Sequence, residues 1–116
     1  MFAHVLSHFH SRRNAEMSVF IFLSARGEVV DVMIQEGVID ALPVPVDHVI
    51  ARALAVRAPR LLIGHTHPSG DPRPSDRDIR TTRQLCARLR RCGITVADHI
   101  ILAQDSYFSF RMHRLL

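Results

Sequence analysis

No lysine occurs in the 116 residues: all fifteen basic side chains are arginine, set against eleven acids for a formal net charge of +4. We read that absence as coding bias and not as a binding mode, although arginine is the better fork for phosphate and carboxylate. A basic balance by itself speaks to solubility and non-specific attraction. Tryptophan is missing and tyrosine occurs once, and no aromatic platform or nucleic-acid motif accompanies the arginines. Cysteine is scarce. Cys86 and Cys92 lie six residues apart in one helix-like stretch, about 9 Å along the axis, beyond disulfide reach, so two reduced thiols are expected. No hydrophobic run approaches a membrane span, the longest being Val19 to Leu23 and Ile100 to Ala103. The N-terminus has no basic n-region or small-residue cleavage site, so a cytoplasmic protein is expected. Repeats, low-complexity tracts and linkers are also lacking.

What is present suits one globular domain, with 47% hydrophobic residues, able to form a core without staples. Phe2, Val5, Leu6 and Phe9 follow helical spacing, predicting a short N-terminal helix within residues 1–15, ahead of a domain over 16–116. Met17 to Leu23 and Glu28 to Ile34 read as strands joined by a hairpin at Gly27. Gly37 allows a bend before Val38 to Leu42. Val46 to Arg57 reads as a core-packed helix behind Pro45, its stripe being Val46, Val49, Ile50, Ala53, Leu54 and Arg57. Arg60 to Thr66 is a strand, followed by a rigid loop with Pro68, Gly70, Pro72 and Pro74. Ser75 opens a helix to about Arg91 with Gly93 as its stop. Ile94 to Ala103 and Tyr107 to Phe110 return as strands. The order predicts an α/β (α+β) sandwich with a central mixed sheet flanked by helices.

The segment that carries chemistry runs from His65 to Asp78. Residues two apart on a strand share a face, so His65 and His67 can offer both imidazoles to one metal ion. Asp78, in the first turn of the next helix, can be brought back as a third ligand. Two histidines and a carboxylate leave a fourth tetrahedral position open, the arrangement of a catalytic zinc. Taken singly, a His-x-His pair and an acidic helix start capped by Ser75 have ordinary structural explanations. Their combination across a proline-locked loop is what points to a site.

The pattern His65-x-His67-Pro-Ser-Gly-x-x-x-Pro-Ser75-x-x-Asp78 resembles the metal-binding motif of the JAB/MPN (JAMM) zinc metalloprotease superfamily, in wording closest to its RadC branch. Gly37, Leu42-Pro-Val44, Arg52-Ala-Leu54, Ile79-Arg-Thr-Thr82, Asp98-His-Ile-Ile101 and Tyr107-Phe-Ser-Phe110 extend the resemblance over residues 16–110. It implies a JAB/MPN-like, cytidine-deaminase-like three-layer sandwich, with Zn2+ on His65, His67 and Asp78. It implies also an upstream glutamate that deprotonates the water. Glu16 is the best match, with Glu28 and Glu36 as competitors. Ser75 takes the family's oxyanion position, its hydroxyl divided between capping the helix and facing the site.

The expected activity is therefore hydrolysis of an amide in a peptide or isopeptide substrate. The alternative is a non-catalytic DNA- or protein-binding RadC-like module associated with DNA repair. Arg77, Arg80, Arg88 and Arg91 share an arc of about 80 degrees on one helix, read as a solvated face with weak nucleic-acid contact as the competing role. His99 is read as a partly buried strand histidine satisfied by hydrogen bonds, with an outer partner of the site or a substrate contact as alternatives. His4, His8, His10, His48 and His113 are read as surface residues. Apolar positions on the N-terminal helix would suit a homodimer or another partner, between which the sequence does not choose.

Overall fold

A stretch of β-branched, aromatic and long aliphatic residues favours extended backbone, and in the computed structural model, which describes residues 16–36 and 46–116, Met17–Leu23 forms β1, buried along its whole length. Its side chains alternate between two core clusters, Phe20 and Phe22 in one and Met17, Val19, Ile21 and Leu23 in the other. The sheet order is β2-β1-β3-β4-β5, with β2 at Val29–Glu36, β3 at Arg60–Thr66, β4 at Thr95–Leu102 and β5 at Tyr107–Ser109. β1 is antiparallel to β2 and β3, β3 is parallel to β4, and β4 is antiparallel to β5. The sheet is mixed, as expected. Ser24 to Glu28 closes the β1–β2 hairpin, with Glu28 O accepting from Ser24 N at 2.8 Å and Gly27 at φ +84°, a conformation that glycine adopts without steric cost.

A parallel strand pair needs a crossover, and the helix α2 (Asp76–Arg91) supplies it between β3 and β4. The other described helix, α1 (Val46–Ala55), precedes β3. Both contribute to one core cluster: Val49 and Ala53 of α1 and Leu85 and Leu89 of α2 pack with Phe20, Phe22, Leu61 and Ile63 of the sheet. Truncating one of these phenylalanines to alanine costs about 3–5 kcal/mol. The opposite face gathers Met17, Val19, Ile21, Leu23 and Leu102. Gly64 lies against that face, where a Cβ would meet Val19 Cγ1 at 2.9 Å. The absent side chain lets β3 sit close to β1, immediately before His65.

The helix expected over Val46 to Arg57 is shorter than its periodicity suggests. Arg57 adopts φ 57° and Ala58 N donates to Ala53 O at 2.8 Å, ending the helix so that Ala58 turns back into the core. Leu54, counted in the apolar stripe, is 59% exposed. The expected N-terminal helix within 1–15 and the segment Val38 to Leu42 after the expected bend lie outside the described residues. No described helix is long and apolar enough to cross a membrane, and Cys86 and Cys92 are free thiols.

Candidate metal centre

The register of β1 on β3 locates the site. Ser18 pairs with His65, and Met17 N donates to Thr66 Oγ1 at 2.9 Å. The same antiparallel step carries Glu16, just ahead of β1, to the level of His67. His67 has left the strand but continues its line, donating from N to Leu102 O of β4 at 2.8 Å. His65 and His67 therefore keep the two-residue alternation, and their Nε2 atoms stand 3.0 Å apart.

Asp78 arrives from the other side. Ser75 caps α2 in a reciprocal capping box: Ser75 Oγ accepts from Asp78 N and Asp78 Oδ2 accepts from Ser75 N, both at 2.9 Å. That box holds the carboxylate against His67, with Oδ2 3.3 Å from Nε2. One donor atom from each of His65, His67 and Asp78 lies within 4.8 Å of the others. Ligands at the zinc–nitrogen length in a tetrahedron stand about 3.3 Å apart, and the two imidazole nitrogens at 3.0 Å and the His67–Asp78 pair at 3.3 Å come near that spacing. The donor set also has the borderline-soft nitrogen and hard oxygen character that zinc accepts.

Each donor has an outer partner that fixes it. His65 Nδ1 is 2.7 Å from His99 Nε2, and His99 Nδ1 is 2.8 Å from Thr82 Oγ1. His67 donates from Nδ1 to the Asp71 carbonyl at 2.9 Å, which turns its Nε2 toward the cluster. Asp71 is itself clamped by Arg73, whose backbone N, Nε and Nη2 all donate to its carboxylate. The Arg73 guanidinium and backbone hold that carboxyl down to about 2. Among the described residues no buried side-chain polar atom lacks a partner. Burial pushes His65 down to about 4 against the opposing charge of Asp78. Desolvation pushes the fully buried His99 well below the usual histidine range. Both rings are neutral at pH 7, as a histidine must be to ligate a metal.

A cleft of 760 Å³ opens over His67 and Asp78, and Glu16, Ser69, Asp71, Arg73 and Ser75 also line it. Glu16 and Ser75, the two residues expected beside the ligands, thus face the same space. Glu28 sits in the exposed hairpin turn at the far end of β1, its N donating to Ser24 Oγ at 3.1 Å. Glu36 ends β2 opposite Met17 in register. Ser75, expected to divide its hydroxyl between the cap and the site, caps α2 and lines the cleft. Its oxygen accepts the capping hydrogen bond, and a hydroxyl keeps its proton to donate elsewhere.

His99 is both things the sequence allowed, a hydrogen-bonded strand histidine at 1% exposure and a direct neighbour of His65. Thr82 and the Asp71 carbonyl escaped the sequence reading. Thr82 lies four residues after Asp78 on α2, the spacing that puts two side chains on one helix face. Of the arginine arc, Arg88 is tied to Asp47 of α1 at 2.8 Å, while Arg77, Arg80 and Arg91 are exposed. His48 and His113 are exposed as expected.

The RadC-like JAB domain family model matches residues 1–115. The chain is also 38% identical, over 113 residues, to UPF0758 protein STH371 of Symbiobacterium thermophilum. That match covers 93% of this chain and 48% of the relative, so the chain spans about half the length of the curated protein it resembles. A family match running almost from end to end takes in the sheet, both helices and the loop that joins the two halves of the metal cluster: the chain belongs to the RadC-like JAB domain family.

Proposed function

We propose that this domain is a zinc-dependent hydrolase that cleaves an amide bond in a peptide or isopeptide, with His65, His67 and Asp78 holding the metal. The observation that carries the reading is the convergence of those three donors beside a cleft that His67, Asp78, Glu16 and Ser75 line. Zinc bound there supplies Lewis acidity, which makes water nucleophilic near neutral pH and polarises a carbonyl.

The remaining work falls to the chain. Glu16, set beside His67 by the β1–β3 register, takes the proton of the attacking water and returns it to the departing amine as general base and then general acid. Ser75 directs its hydroxyl proton at the oxyanion that develops on the carbonyl. His65, held neutral by burial, keeps its Nε2 lone pair available, the Nδ1 bond of His67 to the Asp71 carbonyl turns its Nε2 to the same point, and Asp78 contributes the one carboxylate among the three donors.

The test is zinc stoichiometry on untagged protein purified without a chelating resin, beside His67→Ala, followed by peptide and isopeptide hydrolysis by wild type and Glu16→Gln. We expect about one zinc per chain, lost in His67→Ala, and hydrolysis lost in Glu16→Gln with zinc retained. A wild type that takes up no zinc, or a Glu16→Gln variant with full activity, overturns the reading.

A further inference from the structure

Behind the metal cluster, away from the cleft, a line of hydrogen bonds runs into the protein: His65 Nδ1 to His99 Nε2 at 2.7 Å, then His99 Nδ1 to Thr82 Oγ1 at 2.8 Å. All three side chains are buried, at 2%, 1% and 1% exposure. They come from three separate elements, β3, β4 and α2. His99 is further fixed by Phe110, which stacks on it with ring centroids 4.5 Å apart and an interplanar angle of 8°. A ring so held has no rotational freedom to seek another partner.

We propose that His99 and Thr82 are positioning residues for His65, forming a neutral hydrogen-bond chain whose direction is set at the metal end and ends on a hydroxyl. The proposal rests on the zinc reading above. Once His65 Nε2 commits its lone pair to a cation, the neutral ring carries its proton on Nδ1. His99 Nε2 must then accept, so the single proton of His99 sits on Nδ1 and is donated to Thr82 Oγ1. The tautomers of both rings follow from one bond at the metal.

The end of the chain matters chemically. The usual outer partner of a metal-bound histidine is a carboxylate, a backbone carbonyl or water, and a carboxylate there raises the basicity of the ligand. Here the partner is a neutral imidazole backed by a neutral hydroxyl. His65 is held in orientation without gaining negative charge from behind, and the carboxylate within the donor set is that of Asp78. The chain also ties the metal ligand on β3 to α2, the helix that carries Asp78 four residues before Thr82. Two ligands from different elements are thereby referred to the same helix.

Thr82→Val is the decisive variant, because it replaces a hydroxyl by a methyl of similar shape and leaves the His99 Nδ1 proton with no acceptor. Thr82→Ser restores the hydroxyl. Zinc dissociation constants of wild type, Thr82→Val and Thr82→Ser are measured by competition with a fluorescent chelator, with thermal unfolding of each metal-free protein as a control for folding. We expect Thr82→Val to bind zinc roughly tenfold more weakly, the lower end of what the loss of an outer partner costs, and Thr82→Ser to bind within about twofold of wild type. Long-range proton–nitrogen NMR of the zinc-loaded wild type reads the tautomer directly and should show the His99 proton on Nδ1. A His99 proton on Nε2 in the loaded protein, or wild-type zinc affinity in a folded Thr82→Val, overturns the inference while leaving the zinc reading standing. A wild type that binds no zinc overturns both.

Discussion

β1 carries a glutamate near each end. Glu16 precedes its first residue and Glu28 follows its last by one hairpin turn. The two differ in almost everything that decides what a carboxylate can do. Glu16 is half-buried and lines the cleft with His67, Ser75 and Asp78. Glu28 is exposed, and its backbone N and O bond to Ser24 to close the turn. Each end also has a serine whose oxygen caps a turn: Ser75 accepts from Asp78 N, and Ser24 accepts from Arg26 N and Glu28 N. Like residues make a site at one end and an ordinary hairpin at the other. What separates them is the strand register and the three donors that it assembles, so the contrast can be broken by experiment.

The largest effect is expected from taking the metal donors away. Chelation, or His67→Ala, should abolish hydrolysis and zinc retention together, whereas His48→Ala, in an exposed position, should change neither; elemental analysis and a peptide-release assay read both. Next comes the glutamate pair. Glu16→Gln should lower the rate by about 10²–10⁴-fold, the range for losing a positioned general base, with zinc still bound, while Glu28→Gln leaves the rate unchanged.

Acidity should separate the two ends by a smaller amount. His65 is held neutral, with its folded value near 4 against 6.5 for a free histidine. Its neutral form therefore favours the fold above pH 6.5, and that contribution fades as the pH falls from 6.5 toward 4. On the order of 3 kcal/mol is at stake. Denaturant titration of metal-free protein across that window should show the loss, and a metal-free His65→Gln variant should show a flatter profile. The smallest effect is in the caps. Ser75→Ala should destabilise by about 1 kcal/mol and slow hydrolysis, whereas Ser24→Ala should leave hydrolysis untouched; a rate equal to wild type in a folded Ser75→Ala would remove Ser75 from the reaction.

How much of this was readable in advance depended on whether the signal was local. The bounds of β1 and β3 follow from runs of strand-forming residues interrupted by a turn or a proline loop. Ser75 was legible as a cap because a hydroxyl, two acids and a helical stripe follow in order. The end of α1 was not, because Arg57 had to leave the helix for Ala58 to enter the core, and tertiary burial of this kind overrides periodicity. The donors His65, His67 and Asp78 were legible because strand alternation and a short rigid loop bring them together with little freedom. The His65–His99 contact was legible only as one alternative for His99, for the converse reason. It joins residues 34 apart through a parallel pairing of β3 with β4 that shifts register between Leu61 and Leu62, and no local pattern announces such a shift. Glu16 stood between these cases, since its place opposite His67 needs only the antiparallel register of neighbouring strands.

Asp78 holds two posts at once. Its carboxylate closes the capping box of α2 and stands 3.3 Å from His67, so one oxygen answers to the helix and to the proposed metal site. For an engineer this makes position 78 a place where stability and metal affinity cannot be tuned separately by size. Glutamate keeps the charge but shifts it by a methylene, and alanine forfeits both duties. Asparagine preserves a carbonyl for the box and removes the charge, and so is the one small change that divides the two. The first turn of α2 thereby acts as the alignment fixture of the centre, and fraying at that turn would detune the cluster before the core had begun to open.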